Sequence, residues 1–388
     1  MNKIHRMHRV LCALAISAAL TMVAGGVAMA KGLPKTLAWS AYGVKSSGYA
    51  QSVGIGNALS KQGYKLRILP GKNDISRMAP LRSGQVQFSA MGVGSYIAQE
   101  GVQDFGASAW GPQDVMLVMA SWADTNTGNL PTAKDAGIRK ASDLRGKRVA
   151  WVVGSPALNS NLTAFLAFGG LTWDDVDKVE VPGFGASMTG LIEGTIDAAV
   201  ASTDSSKLYE LDTSPRGLFF PPFPHNDKAG WARLKKVAPW FQPHTATAGA
   251  GLSKENPHEG ASYGYPILIT YTKMDEQAVY EMTKLLHTEF DNYKGSHPGG
   301  VGWAMDRQQF SWILPYHPGA VRYFKEIGVW NNDHQQYNDG MKKRQQVLKA
   351  AWVKVKNKKL SDDAHMKAWM AQRAADLKAA GMDPVWEE

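Results

Sequence analysis

The sequence predicts an α/β protein built of two lobes. Two strand–loop–helix units, Leu37–Ser60 and Arg148–Phe168, lie about 110 residues apart, and each has a small, hydroxyl-rich loop before its helix. Such a loop offers backbone N–H groups and the positive end of a helix dipole to an anion. About 358 residues follow a removable N-terminal segment. That length exceeds one ordinary hydrophobic core and favours two domains.

Residues 1–30 have the composition of a secretory signal peptide. Lys3, Arg6 and Arg9 form a basic start, Val10–Val27 is apolar and small, and an Ala-Met-Ala site predicts cleavage after Ala30. The alternative is an uncleaved membrane anchor, but a spanning helix needs roughly 20 apolar residues and this run is shorter and interrupted by glycine. The sequence therefore predicts a protein exported to the periplasm.

Composition excludes several kinds of chemistry. The only cysteine, Cys12, lies inside the predicted signal, so the mature chain has no thiol for nucleophilic, metal-binding or disulfide chemistry. The formal net charge is +9, and much of the basic excess lies between Lys342 and Lys359. That tract is either a contact for an acidic partner, such as a membrane surface, or a solvated helix face. No basic–aromatic motif indicates a nucleic acid partner.

The first lobe is predicted at residues 31–120 and 266–330. Its strands and helices alternate with short loops, which indicates a parallel sheet. The predicted strands are Thr36–Ser40, Lys65–Leu69, Val86–Met91 and Val115–Met119, and the predicted helices end at Gly63 and before Gly84. Ligands of such sheets bind at the carboxyl ends of the strands, where the loops 41–48 and 91–95 lie.

The second lobe is predicted at residues 121–265. It opens with a polar stretch, Asp124–Lys134, which is interpreted as a surface loop. The elements predicted after it are a strand at Lys147–Val153, a helix at Asn161–Phe168, a strand at Val179–Val181, a helix capped by Ser187 and a strand at Ile196–Ala201.

The chain then returns to the first lobe through a strand at Tyr265–Tyr271 and a long amphipathic helix that reaches Phe290. Residues 331–388 form a C-terminal extension with two amphipathic helices, at 332–357 and 361–380. Terminal helices of this kind most often cover their own domain, so we expect packing on the first lobe. Docking on a membrane partner and dimerisation are the alternatives, and a monomer is expected.

Motifs for catalysis and for metal or cofactor binding are missing or out of context. Gly260–Gly264 matches the G-x-S-x-G nucleophile elbow with Ser262 at its centre, but that motif requires a strand before the serine and a helix after it. Here polar residues precede the motif and a predicted strand follows. The histidines have no metal-binding spacing and are interpreted as surface or capping residues. No cofactor, metal site or enzyme activity is predicted.

Four segments, in order along nearly the whole mature chain, carry a resemblance to a known family. They are Leu81–Gly84 with Phe88, Asp143–Val149 followed by Gly154-Ser155, Leu191–Ala198, and Pro315–Gly328. With these segments the chain resembles the TAXI family of solute receptors, which serve tripartite ATP-independent periplasmic (TRAP) transporters. Pro315–Gly328 is the most specific segment and is similar to the C-terminal signature of that family.

The resemblance implies a two-lobed type-2 periplasmic binding protein fold with a hinge. The expected hinge crossings are Ala120–Ala123 and Ser262–Pro266. The resemblance also implies one small organic anion, often a carboxylate, which the protein holds in the cleft and delivers to a TRAP membrane permease.

By the same resemblance, three loops line the cleft, at Tyr42–Tyr49, Met91–Ser95 and Gly154–Asn161, and Thr203 and Asp204 are expected to add to it. The residues expected there are Tyr42, Lys45, Ser46, Ser47, Gly48 and Tyr49, then Met91, Gly92 and Val93, then Gly154, Ser155, Asn159, Ser160 and Asn161, and finally Thr203 and Asp204.

The chemistry of these residues suggests roles. The hydroxyl groups of Ser46, Ser47 and Ser155 are expected to donate hydrogen bonds to a carboxylate. The backbone N–H groups of Gly48 and of residues 159–161 are expected to do so at helix starts. Lys45 is either a counter-charge or a solvated lysine.

Aromatic and apolar side chains are expected to shape the rest of the pocket. Tyr42, Tyr49 and Trp151 are candidates for its walls, with core packing as the alternative for Trp151. Residues 91–93 are apolar and predict an acid with an apolar or aromatic body. Two other functions stay open: a binding protein of an ABC importer or signalling system, and a periplasmic hydrolase using Ser262.

Overall fold

The computed structural model of the protein describes residues 32–387. The predicted signal and its cleavage site after Ala30 lie outside the described residues. In this range the strands are β1 (Thr36–Ala41), β2 (Lys65–Pro70), β3 (Phe88–Met91), β4 (Val115–Ala120), β5 (Thr132–Ala133), β6 (Arg148–Val152), β7 (Asp177–Val181), β8 (Leu218–Phe219), β9 (Gln242–Ala246), β10 (His258–Ser262) and β11 (Ile267–Tyr271). The α-helices are α1 (Ser47–Lys61), α2 (Asp74–Arg82), α3 (Gly94–Glu100), α4 (Pro156–Phe168), α5 (Phe184–Glu193), α6 (Ser206–Thr213), α7 (Lys228–Val237), α8 (Glu276–Thr288), α9 (Phe290–Tyr293), α10 (Pro318–Glu326), α11 (Asn332–Lys356) and α12 (Asp362–Ala379).

The first lobe, by which we mean residues 32–120 and 266–330, is built on a five-stranded sheet with the order β2-β1-β3-β11-β4. β1 pairs in parallel with both β2 and β3, as the alternating pattern predicts. The returning strand β11 runs antiparallel to its neighbours β3 and β4. The carboxyl ends of β1 and β3 therefore meet at one edge of the sheet and present their following loops there.

Two extended segments connect the first lobe to the second lobe, residues 121–265. The backbone N–H of Ser121 donates to the carbonyl oxygen of Pro266 at 2.9 Å, and that of Tyr265 donates to the carbonyl oxygen of Ser121 at 2.6 Å. The two segments thus lie side by side. The strand predicted from Tyr265 begins only at Ile267, because Tyr265 pairs with the crossing segment rather than with the sheet.

One predicted strand of the second lobe does not form a regular strand. β6 and β7 pair in parallel, but the predicted strand Ile196–Ala201 forms only isolated bridges, at Ala198 and Ala201. The reason lies in its hydrogen bonds. The N–H of Ala198 donates towards β6, whereas the N–H groups of Ala199 and Ala201 donate to the segment that follows the crossing. The segment is extended, but its N–H groups bond partly to β6 and partly to residues 129–131, so it does not form a regular ladder with either one.

The predicted surface loop at Asp124–Lys134 is wrong for most of its length, because Thr125–Ala133 is buried. The polar side chains there have partners inside the protein. Asn126 contacts the ring nitrogens Nδ1 of His258 and His244, at 2.9 Å and 2.7 Å. The N–H of Thr127 donates to the hydroxyl oxygen of Ser262 at 3.0 Å. A polar sequence therefore marks internal hydrogen bonding here, and not solvent exposure.

The C-terminal helices α11 and α12 pack on α3 and the turn after it, in the first lobe. The carboxylate of Glu100, at the end of α3, is fully buried and accepts hydrogen bonds from Arg344 Nε and Nη2 at 2.7 Å and 2.8 Å. It also pairs with Arg373 of α12. Two arginines on one buried carboxylate satisfy the charge that α3 would otherwise leave unpaired.

The last residues of the chain contact both lobes. The ring of Trp386 lies 5.9 Å from that of Tyr96 in the first lobe and 6.1 Å from that of Trp240 in the second. The extension therefore contacts the second lobe as well as the first lobe, on which we expected it to pack. Among the helices of residues 32–387, none has the length and apolar character of a membrane span.

Candidate ligand-binding cleft

A cavity lies between the two lobes. The first lobe lines it with Tyr42, Ser46, Lys72, Asp74, Arg77 and Val93, and the second with Thr127, Gly128, Ser155, Ala157, Leu158, Phe184, Val200, Ala201, Ser202, Ser205, Tyr263 and Tyr265. Hydroxyl groups, aromatic rings and small aliphatic side chains make up most of this lining. Such a surface suits a small ligand with an apolar body and a few polar contacts.

Four of the predicted site residues line the cavity directly: Tyr42, Ser46, Val93 and Ser155. Tyr42 follows β1 and Val93 follows β3, so both stand where the parallel strands end. Ser46 caps α1 and Ser155 precedes α4, so both stand at helix starts. The sequence predicts that strand ends and helix starts converge on one cavity, and these four residues have that arrangement.

The start of α1 is already satisfied by groups of the protein. The side chain of Ser46 accepts a hydrogen bond from the N–H of Tyr49 at 3.2 Å. The N–H of Gly48 points to the Tyr265 hydroxyl at 3.3 Å. The hydroxyl of Ser47 donates to the carboxylate of Asp204, at 2.9 Å, across the gap between the lobes. Ser47, Gly48 and Asp204 therefore hold each lobe to the other beside the cavity.

The start of α4 is also occupied by a carboxylate of the protein. Asp74, in the first turn of α2, accepts a hydrogen bond from the N–H of Ala157 at 2.9 Å and another from the hydroxyl of Ser155 at 3.3 Å. Asp74 is fully buried. The anion that the sequence leads us to expect at this helix is thus supplied by the opposite lobe, because a helix N-terminus favours any negative charge.

The roles predicted for residues 159–161 need correction. α4 begins at Pro156, five residues before the predicted start, so these backbone N–H groups lie within the helix and bond internally. Proline is well suited to a first helical position. Asn159 bonds through its side chain to the backbone of Val152, and Asn161 bonds to the Tyr263 hydroxyl at 2.9 Å. Their roles here are structural.

Ser160 faces away from the cavity. Its hydroxyl accepts a hydrogen bond of 2.7 Å from Gln103 Nε2, on the side of the molecule where the C-terminal residues lie. Thr203 is structural as well. Its hydroxyl accepts from the N–H of Asn126 at 3.1 Å and donates to the carbonyl oxygen of Ala248 at 3.0 Å.

Arg77 is a cavity residue that the sequence analysis missed. Its guanidinium group is only 3% exposed, forms an ion pair with Asp74, and lies 3.8 Å from the centre of the Tyr42 ring. Its Nε also approaches the sulfur of Met91 at 3.3 Å. The sequence could have indicated this pair, because Arg77 follows Asp74 by three residues in a predicted helix, and opposite charges at that spacing lie on the same face.

Three tyrosines surround the cavity with hydroxyl groups. The rings of Tyr42 and Tyr265 meet edge to face at 5.0 Å. Burial raises the pKa of Tyr42, Tyr263 and Tyr265 above the ordinary value, so all three keep their protons at neutral pH. They therefore offer hydrogen-bond donors to a ligand without adding charge.

The other predicted residues lie around the cavity rather than in its lining. Lys45 is exposed at the entrance, and Tyr49 is half-buried within α1. Met91 is in the core. At Gly92, an added Cβ atom would lie 2.7 Å from the Tyr42 hydroxyl, and at Gly154 it would lie 2.6 Å from Asn73 Nδ2. Both glycines thus permit a close approach that a side chain would block.

Trp151 does not form a wall of this cavity, since its ring packs on Trp173 at 5.0 Å. Ser262 ends strand β10 of an antiparallel hairpin and is not followed by a helix. Its hydroxyl donates to the carbonyl oxygen of Thr125 at 3.2 Å. The geometry of a nucleophile elbow is therefore not formed at Ser262. Within residues 32–387, no cluster of three His, Cys, Asp or Glu side chains could hold a metal ion.

The described residues thus form two α/β lobes that are joined by paired crossing segments and separated by a cavity. The amino-acid sequence identifies the family of the chain. Residues 49–328 match the model of the NMT1-like family, and the chain belongs to that family.

Among solved structures, the chain is similar to several binding proteins with which it shares little sequence identity. The alkanesulfonate-binding protein SsuA from Xanthomonas axonopodis pv. citri, bound to MOPS, is 14% identical, with 79% of this chain and 84% of that chain covered and a TM-score of 0.45. SsuA from Escherichia coli is 12% identical over 90% of this chain and 89% of that chain, with a TM-score of 0.43. The amino acid ABC transporter substrate-binding protein AbpA from Streptococcus pneumoniae, bound to L-arginine, is 15% identical, with 69% of this chain and 96% of that chain covered and a TM-score of 0.40.

Proposed function

We propose that the protein is an extracytoplasmic solute receptor, which binds one small organic anion between its lobes and delivers it to a membrane permease. The observation that carries the proposal is the cavity lined from both lobes, with neutral hydroxyl groups, aliphatic side chains and the ring of Phe184. Closure of two lobes on such a cavity removes the ligand from water, which is how a receptor holds a solute. The predicted signal peptide supports export to the periplasm.

We further propose that the permease is of the TRAP type, as the resemblance implies. Much of the signature segment Pro315–Gly328 is buried in the first lobe, where Tyr316 is fully buried and the carbonyl oxygen of Pro315 accepts from the N–H of Leu117 at 2.8 Å. This segment therefore supports a shared fold rather than a permease contact. An ABC importer is the alternative, and transport into proteoliposomes separates the two. Uptake driven by an ion gradient supports TRAP, whereas uptake that needs ATP contradicts it.

The binding proposal is tested by thermal unfolding of residues 31–388 with a panel of aromatic acids, branched aliphatic acids, amino acids and small diacids. A ligand that binds only the native state stabilises it by about 2.7 kcal/mol at a hundredfold excess over the dissociation constant. We expect stabilisation by acids with an apolar body. Stabilisation only by small hydrophilic diacids would contradict the apolar character of the ligand, and no response to any acid would contradict the receptor function.

A matched pair of variants locates the binding. Phe184 is half-buried and lines the cavity, whereas Phe290 is half-buried in the first lobe and does not line it. Phe184→Ala is expected to weaken binding, because it removes an apolar wall. Phe290→Ala is expected to leave it unchanged. Equal effects of the two variants would show that the ligand binds elsewhere.

A further inference from the structure

The cavity continues outwards into an entrance groove. Cavity and groove share Tyr42, Lys72, Arg77 and Phe184 in their linings. The groove also lies between the lobes, since Lys45 and Lys72 come from the first lobe and Lys207 from the second. A ligand in the cavity can therefore extend into the groove without a break in the surface it contacts.

Two cationic side chains line the cavity, Lys72 and Arg77, and that of Arg77 is already engaged. The guanidinium of Arg77 pairs with the buried carboxylate of Asp74, stacks on the Tyr42 ring at 3.8 Å, and donates to the carbonyl oxygen of Gly71 at 3.4 Å. The carboxylate of Asp74 also accepts a hydrogen bond from the N–H of Ala157. A ligand anion placed here would face Asp74 and would have to displace it from both partners, at the cost of burying an unpaired charge.

The lysines of the entrance groove are less engaged than Arg77, which also lines it. Among the described residues, Lys45 and Lys72 have no carboxylate within ion-pair distance, and both are exposed. Lys207 pairs with Glu210 at 2.5 Å. Glu210 is thus the carboxylate that partly balances the charge of these lysines. Its pKa is lowered by the hydrogen bond from Lys207 and then by the charges of Lys207 and Lys45. The groove keeps an excess of positive charge.

Resting on the proposed function, we infer that the ligand binds with its apolar body in the cavity and its anionic group in the entrance groove, beside Lys72 and Lys45. The ligand class is then a compact aromatic or branched aliphatic acid with one terminal carboxylate or sulfonate. Phe184 lies where body and anionic group meet, because it lines both spaces. This orientation keeps the ligand charge near water and lysine while burying the apolar part.

The inference is tested by calorimetric titration of residues 31–388 with phenylacetate and 3-phenylpropionate, each paired with its neutral amide. We expect the acids to bind more tightly than the amides. Lys72→Met is expected to weaken acid binding roughly tenfold more than amide binding, and Lys72→Arg is expected to retain acid binding. Added salt is expected to weaken acid binding, because the groove is open to solvent.

Lys65→Met is the matched control, since Lys65 is an exposed lysine at the opposite end of β2 from Lys72. If the double variant Lys45→Met/Lys72→Met keeps the preference for acid over amide, and Arg77→Met loses it, the anion lies inside the cavity and the inference is overturned. If none of the four probes binds the wild-type protein, the proposed apolar acid ligand falls together with the inference. Binding that is insensitive to the lysines overturns the inference alone.

Discussion

The carboxylate of Asp74 accepts a hydrogen bond of 2.9 Å from the backbone N–H of Ala157, across the gap between the lobes. The reverse arrangement occurs nearby, where the hydroxyl of Ser47 in the first lobe donates to Asp204 of the second at 2.9 Å. In each lobe, a carboxylate thus accepts a hydrogen bond from the start of a helix in the other lobe. The contact between the lobes is stabilised by the protein's own charges, which leaves ligand recognition to the remaining lining.

The first prediction concerns Asp74. Asp74→Asn is expected to lower the free energy of unfolding by about 3 kcal/mol or more, because it leaves the buried guanidinium of Arg77 without its charge partner. Urea denaturation measures the change. Asp291→Asn is the control, since its ion pair with Lys294 is exposed and should contribute about 1 kcal/mol or less. A loss at Asp74 no larger than at Asp291 would contradict this account of the pair.

The second prediction concerns Glu100 and acid pH. Burial alone would raise the pKa of Glu100, but the hydrogen bonds and charges of Arg344 and Arg373 outweigh it and lower the pKa below 4.5. A carboxyl group whose pKa is lower in the folded state stabilises the protein above its unfolded pKa, and that contribution is lost as the pH falls through the folded value. We therefore expect stability to decrease below about pH 4.5.

Glu100→Gln should flatten this dependence, while reducing stability at neutral pH because two buried arginines lose their anion. Unfolding midpoints measured against pH for the two proteins give the comparison. A Glu100→Gln protein with the same slope below pH 4.5 as the wild type would place the acid sensitivity elsewhere.

The third prediction concerns His317, the N-cap of α10. Burial lowers its pKa from 6.5 to about 4, and the carbonyl groups of Thr272 and Met274 oppose this shift only in part. Its Nδ1 accepts the N–H of Gly319 at 3.2 Å, which requires the neutral ring. The stabilisation is therefore complete above pH 6.5 and declines as the pH falls towards 4, by on the order of 3 kcal/mol.

His317→Asn tests this directly, because asparagine can cap the helix without titrating in this range. We expect the variant to lose the decline between pH 6.5 and about 4 that the wild type shows. The measurement is denaturant unfolding at several pH values. A decline that persists in the variant would assign it to other groups.

The fourth prediction concerns the end of the chain. Trp386 packs between Tyr96 of the first lobe and Trp240 of the second, and its carbonyl oxygen accepts from Arg373 Nη1 at 2.8 Å. Deletion of residues 382–388 is expected to loosen the lobes and to increase the radius of gyration of the ligand-free protein in small-angle X-ray scattering. Trp386→Phe keeps an aromatic ring and should preserve the wild-type value. An unchanged radius after the deletion would show that the tail does not restrain the lobes.

Much of the local structure follows from the sequence alone. The strands β1 and β2 and the helices α1 and α2 lie near their predicted positions, because alternation, helical spacing and capping residues act over a few neighbours. The sequence pattern predicts the start of α4 five residues too late, because proline is typical both of loops and of the first position of a helix, where Pro156 lies. Predictions from local pattern fail where one residue can serve two local structures.

The sequence by itself determined the two α/β lobes, the strand ends and helix starts that face each other, and several residues of the cavity, including Tyr42 and Ser155. Only the tertiary structure decided which carboxylate reaches which helix. Asp74 and Ala157 are 83 positions apart, and no short-range pattern encodes such a pair. The same holds for the buried polar segment at Thr125–Ala133. Hydrogen bonds to distant groups fix its place, and burial depends on the whole chain rather than on composition.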